Sequence, residues 1–366
     1  MNQNTVLTQQ KGAAFWKKNR LSIIAIAVLC VAAAVMLRTR YLAMILDFIC
    51  IYTIAVTGLD LLFGYTGQVS FGQAGFYAIG AYTSALLSKN LGVPPILSIF
   101  IGALLATVFG VIIAFPASKL VKHFLSLLTI AFGLMVYTFV NSCSALTGGP
   151  SGITGIPKVS IFGLELGSYQ SYFWLVAILM ALVLITKRNI INSRVGRAFI
   201  AVRENPHAAA GMGINVAKYK IMAFAISAFA AGLAGALYAH MIRFISPDTF
   251  TKDQSNMFMT MLLFGGIATI SGSMIGAAAI TVMTELLQQF AAYQTLIYAV
   301  LILIVLFQSG KSQGLSGAIG GIADSYMSRS KAKSVDAKLA RGTKWVAAVF
   351  VVLTLVLDCM VAAGIK

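Results

Sequence analysis

The side-chain constellations that carry catalysis are missing from this sequence. His123, His207 and His240 are widely separated and lack metal-ligand spacing. Gly310-Lys311-Ser312 looks like the end of a phosphate loop. Such a loop needs a glycine five positions before Gly310, and Val305 stands there in an apolar run. No Gly-x-Ser-x-Gly elbow and no His/Cys nucleophile arrangement stands out. Cys30, Cys50, Cys143 and Cys359 lie in or beside apolar stretches without a CxxC pair, and read as small buried hydrophobes. The expectation is a chain that is not an enzyme, with no catalytic, metal or cofactor-binding residues. Any ATP that drives it is then hydrolysed on another chain.

What remains is chemistry of passage and of docking. Between Gly64 and Gly80, five glycines alternate with Thr66, Gln68, Ser70, Gln73 and Tyr77 inside otherwise apolar sequence. Glycines weaken a helix and let backbones approach closely. Amides and hydroxyls are costly in lipid, so they should face protein or a water-filled path. A second break runs from Phe264 to Gly276 and contains Gly265, Gly266 and Ser271. Paired interruptions of this kind often meet at a substrate path. Both stretches are therefore candidates for lining it, against the plainer reading of tight helix packing. Asp47, Asp60 and Glu285 lie in or near apolar segments, where interfacial pairing or snorkelling is favoured over a proton relay.

The elements that position these residues follow from composition. Of 366 residues, 59% are hydrophobic and 10% charged, against about 25% charged in a soluble domain. Mean hydropathy is +0.89. Too little polar side chain exists to cover a water-facing surface, so lipid is the solvent for most of the chain. The apolar runs are continuous rather than alternating, which reads as helices, not barrel strands. The net charge of +17 does not point to nucleic acid, because Lys and Arg cluster beside the apolar runs as in cytoplasmic loops. Such loops can also bind anionic lipid.

Apolar segments fall at about 21–37, 42–62, 72–88, 95–116, 124–141, 170–186, 220–241, 255–270, 274–289, 294–308 and 345–364. The expected fold is an all-α integral membrane protein, a polytopic helical bundle of about 9–11 apolar segments, some broken or re-entrant. Residues 1–20 read as a basic cytoplasmic N-terminal segment, and 21–308 as the transmembrane permease domain. Residues 309–344 read as a basic Gly/Ser-rich linker, and 345–366 as an extra C-terminal helix. The first run is too long for a signal-peptide core and is expected to be retained. Crossings counted from a cytoplasmic N-terminus put Lys119, Lys122 and the basic stretch 187–219 inside, and 142–169 outside. His240 is expected at the outer interface. The basic stretch 311–344 falls inside if 255–289 crosses twice.

The stretch 187–219 reads as water-facing. Within it, Asn205 caps a short helix at 206–212 that begins with Pro206 and is ended by Gly213. A small-residue helix held between two spans suits docking into a groove on a partner.

Here the sequence resembles a family. His207-Ala-Ala-Ala-Gly-Met-Gly213 is similar to the EAA-x-x-x-G coupling motif of ABC importer permeases, with His207 in place of Glu. The later Ile-x-Leu-Pro of that motif is absent. A fuller match is to LivM-type permeases of the branched-chain amino-acid ABC transporter family. It is carried by Gly64–Tyr82, Leu146–Pro157, Ser193–Tyr219, Ala231–Tyr238, Ile245–Phe250 and Phe264–Gly276, over roughly 40–316. The resemblance implies a bacterial or archaeal cell membrane and a translocation path shared with a second related permease. It further implies two cytoplasmic ATPase subunits that use the ATP, and an extracytoplasmic binding protein. It assigns Arg203, Glu204, Asn205, Pro206, Ala209 and Gly213 to the ATPase-coupling contact. The expected solute is a branched-chain or neutral aliphatic amino acid; the alternatives are urea or short amides, or an ion-coupled secondary carrier. Phe307–Leu315 departs from the family's usual end, and the residues after it have no role that the resemblance supplies.

Overall fold

The computed structural model describes residues 39–118, 122–161 and 164–287. The expected first helix, the segment at 294–308, the linker and the C-terminal helix lie outside the described residues, as do Cys30, Lys119, the 310–312 triplet and Cys359. The chain divides into two compact units, Met1–Glu285 and Leu286–Lys366. The description below is of the first.

The apolar runs become helices close to their expected bounds. These are α1 (Arg40–Asp60), α2 (Gln73–Asn90), α3 (Pro95–Ala117) and α4 (Lys122–Ser142). A single turn, α5 (Ser144–Thr147), precedes α6 (Tyr169–Asn192). Then come α7 (Arg194–Glu204), α8 (Pro206–Gly211), α9 (Val216–Ile242), α10 (Lys252–Gly265) and α11 (Gly272–Leu287). Five of the described helices are long and apolar enough to cross a membrane: Arg40–Tyr65, Pro95–Ala117, Phe124–Ser142, Tyr169–Asn192 and Val216–Ile242. This bears out the all-α polytopic class. The few strands are two residues long. Ile153–Thr154 pairs antiparallel with Phe244–Ile245, and Ser160–Ile161 with Leu164–Glu165.

Small residues decide the packing at the centre. α9 lies against α1, α2 and α3, and α2 also packs on α3 and α4. A Cβ on Gly235 would fall 1.9 Å from the Tyr77 carbonyl oxygen, and one on Gly80 would fall 2.0 Å from that of Gly232. No side chain fits there, so these backbones meet directly. The large apolar side chains point the other way. Phe100, Leu104, Val108, Ile112 and Phe115 make an exposed stripe on α3, and Trp174, Ile178, Leu182 and Ile185 do so on α6. A stripe of that kind suits lipid or an apolar partner, not water.

Candidate coupling and translocation region

The sequence of the short helix determines its ends. Asn205 has extended backbone, and its Oδ1 accepts from the His207 and Ala208 amides at 3.0 and 3.1 Å. Pro206 occupies the first turn, where a missing N–H costs nothing. At the other end the Ile214 amide donates to Ala209 O and the Gly213 amide to Ala210 O. Gly213 sits at φ +82°, the left-handed position such a stop requires. The helix ends on Gly211, with Met212 following as its cap. Ala209 faces inward, whereas His207, Ala208, Ala210 and Met212 are exposed, Met212 at 84%.

The preceding helix was not expected as a separate element. α7 is amphipathic: Gly196, Ala198, Phe199 and Val202 are buried. Its last turn carries Arg203, whose Nη1 donates to the Gly64 carbonyl at 2.6 Å. Arg203 therefore points back into its own chain, and Glu204 stays exposed beside it.

Gly64 belongs to a wider π-helical turn, Leu61–Tyr65, that continues α1. Turns of this type recur at functional sites. The turn releases the chain into 66–72, where the polar residues of the first break find partners. Thr66 Oγ1 donates to Leu62 O, and the Gln68 amide donates to Thr66 Oγ1 and Lys220 O. Ser70 Oγ accepts from the Gly72 amide, and Gln73 donates to Ser227 Oγ at 2.8 Å. Tyr77 lies in an aromatic group with Tyr238, Phe250 and Phe258. Thr66, Gln68, Ser70, Gln73 and Tyr77 are all buried within the single chain. The partly exposed residues of this stretch are Gly67, Val69, Phe71 and Ile79, which sequence reasoning did not single out because their side chains are apolar or absent.

The second break is a tight helical hairpin. A Cβ on Gly265 would meet Gly272 O at 1.9 Å, and one on Gly276 would meet Met261 O at 1.8 Å. Gly265 thus serves the close approach of α10 and α11. Gly266, at φ +95°, and Ser271 lie partly exposed at the turn.

The two breaks meet at a buried ion pair. Lys187 Nζ lies 2.7 Å from Asp60 Oδ2, and both side chains are fully buried. Lys187 also donates to Thr269 O and Ser273 Oγ, each at 2.9 Å. Asp60 Oδ1 accepts from the Ala268 amide at 2.8 Å, and the Tyr65 hydroxyl donates to Ala268 O. A Cβ on Gly64 would strike Asp60 Oδ1, so glycine there keeps the carboxylate's approach open. The expectation that the water-facing stretch begins at 187 is corrected: α6 continues to Asn192 and carries Lys187 into the interior. Burial penalises both charges, and their mutual attraction together with the hydrogen bonds to Ala268, Thr269 and Ser273 offsets that cost. Loss of one member of such a pair typically costs about 3–5 kcal/mol.

The other acids behave differently. Tyr41 donates to Glu285. Asp47 is buried, and neither of its oxygens has a hydrogen-bond partner among the described residues. His240 is buried within the protein near the end of α9. Its Nδ1–H donates to Pro157 O at 2.9 Å, which leaves Nε2 to accept from Ser84. It joins the end of α9 to the loop after α5. Among the described residues no group of His, Cys, Asp and Glu is placed to hold a metal ion.

Comparison with known proteins identifies relatives of the chain. Residues 41–307 match the family described as "Branched-chain amino acid transport system / permease component". Residues 288–365 match a second family, "Preprotein translocase SecG subunit", and contain most of the extension to which the sequence reading gives no role. The chain is 32% identical over 321 residues to the high-affinity branched-chain amino acid transport system permease protein LivM of Escherichia coli, covering 81% of this chain and 75% of that protein. It is 26% identical over 275 residues to LivH of the same organism, covering 70% and 88%. A probable LivM of Methanocaldococcus jannaschii is 25% identical over 282 residues, covering 67% and 81%. No solved structure matches. The chain belongs to the family of permease components of branched-chain amino acid transport systems.

Proposed function

We propose that this chain is one of two related permease subunits in an ATP-driven importer of branched-chain or neutral aliphatic amino acids. The residues 203–213 form its docking surface for separate cytoplasmic ATPase subunits. The observation that carries the reading is α8, a capped, small-residue helix that projects exposed between two packed helices. A motor on another chain needs such a handle, rigid at its base and free at its face. Relatives named LivM and LivH exist side by side in one organism, which supports a pore built from two different permeases. The urea or short-amide alternative is not favoured, because the relatives are named for branched-chain amino acids. In this reading 193–215 lies in the cytoplasm with the N-terminus, 143–168 lies outside, and an extracytoplasmic binding protein delivers the solute.

The translocation path in this proposal runs along the two breaks. Thr66, Gln68, Ser70, Gln73 and Tyr77 shape its wall from behind. Gly265 sets the hairpin, and Gly266 and Ser271 border the path with Gly67, Val69 and Phe71. A second permease completes the other side.

Affinity purification in mild detergent tests the docking surface. The wild-type chain should retain two ATPase subunits and a second permease. A variant with a Gly-Ser linker in place of 206–213 should retain the second permease and lose the ATPases. Equal ATPase recovery from both would overturn the assignment of this loop.

A further inference from the structure

We infer that the buried Asp60–Lys187 pair is a positioning device that makes the docking loop, the π turn after α1 and the 266–271 turn move as one body. This rests on the proposed docking role of 203–213, because it names what that loop pulls on.

The loop is tied to the bundle in two places. Arg203, two residues before the cap of α8, holds Gly64 O in the π turn. Lys187, on the helix that leads into α7, holds Asp60 at the start of the same turn. Asp60 in turn holds the Ala268 amide, while Lys187 holds Thr269 O and Ser273 Oγ. Ala268 is at φ +58°, a left-handed backbone that a non-glycine residue keeps only when its surroundings impose it. The Asp60 carboxylate and the Tyr65 hydroxyl grip its amide and its carbonyl. The charged pair therefore joins α1, α6 and the α10–α11 turn, and the Arg203–Gly64 bond adds α7 to the same π turn. Sliding either member would leave a buried charge without its counter-ion, which is costly, so the pair resists displacement. Displacement of α8 then reaches the 266–271 turn instead of being absorbed by the loop.

Two readouts test this. The first uses the purified chain alone, with its four native cysteines replaced by alanine and Ser271→Cys as a probe. Lys187→Met should raise the rate of maleimide labelling at position 271 about fivefold, as expected if a coupling element is released. The charge exchange Asp60→Lys with Lys187→Asp should bring the rate back toward the parent. If Lys187→Met gives no folded protein, Ser273→Ala removes one Lys187 partner and should raise the rate about twofold. An unchanged rate in folded Lys187→Met, or in Ser273→Ala where that stands in for it, overturns the inference.

The second readout uses the reconstituted assembly. In Lys187→Met, amino-acid uptake should fall about tenfold while ATP hydrolysis stays within about a factor of two. An equal fall in both would mark the pair as merely structural and overturn the positioning role. Absence of ATP-driven uptake by the wild-type assembly would count against the docking reading itself. The labelling result on the isolated chain would be untouched by that failure.

Discussion

At the residue scale, the central helices depend on missing side chains more than on present ones. Gly235 meets the Tyr77 carbonyl so closely that even a methyl group collides with backbone. Gly235→Ala should lower the stability of the bundle by about 1–3 kcal/mol, the usual cost of overpacking. Thermal melting in detergent with a size-exclusion readout checks this. Gly211→Ala is the matched control, since nothing lies within 4 Å of its Cβ position and its φ is ordinary; it should leave the melt unchanged. The crowded glycines were legible as signs of close packing. Their partners were not, because a crossing between α2 and α9 joins residues far apart in the chain. The ion pair was hidden for the same reason. Asp60 read as an acid needing a partner, but Lys187 read as one of many bases in a loop. The signal that singles it out is its place: it begins the basic stretch directly after an apolar run, with no turn residue between.

At the scale of elements, α8 shows what local chemistry can specify. Asn205, Pro206 and Gly213 were readable as cap, first turn and stop, because each acts within four residues of itself. Asn205→Ala removes the acceptor for two amides and should destabilise α8 by about 1 kcal/mol. The expected result is normal membrane expression with uptake reduced several-fold. Gly213→Asp should uncouple ATP hydrolysis from uptake while the protein remains in the membrane. Its Cβ would touch nothing, so the effect would come from backbone strain at φ +82° and from charge on an exposed surface. Unchanged uptake would count against docking at this loop. The break at 66–77 was less legible. Its glycines and polar side chains marked an interruption correctly, but a run of hydroxyls and amides does not say whether it faces a path or a neighbouring helix. Here Gln73 bonds Ser227, and Gln68 bonds the Lys220 carbonyl in the first turns of α9. Most of the polar atoms answer the backbone and side chains around the π turn, while Gln73 Oε1 and the Tyr77 hydroxyl have no hydrogen-bond partner among the described residues, and the exposed members of the stretch are the inconspicuous ones.

At the scale of the molecule, hydropathy placed most described spans to within a few residues, because a bilayer demands long apolar helices whatever their tertiary partners; the end of α6, which runs on to Asn192, was the main miss. The two halves of 255–289 resolve into a hairpin of α10 and α11 whose turn sits at the Asp60–Lys187 pair. Such a hairpin is the layout in which both halves belong to one re-entrant or twice-crossing element. The exposed apolar stripes on α3 and α6 leave room for lipid and for a second permease, in line with the proposal that the chain forms half of a pore. The central claim is that this half moves solute only when driven by ATPases docked at 203–213. The most direct measurement is uptake of radiolabelled leucine into proteoliposomes, comparing the chain alone with the chain reconstituted with its second permease, ATPases and binding protein. The account predicts uptake only in the full assembly, only with ATP, and only with the loop intact. Leucine accumulation by the chain alone, driven by a sodium or proton gradient without nucleotide, would contradict it.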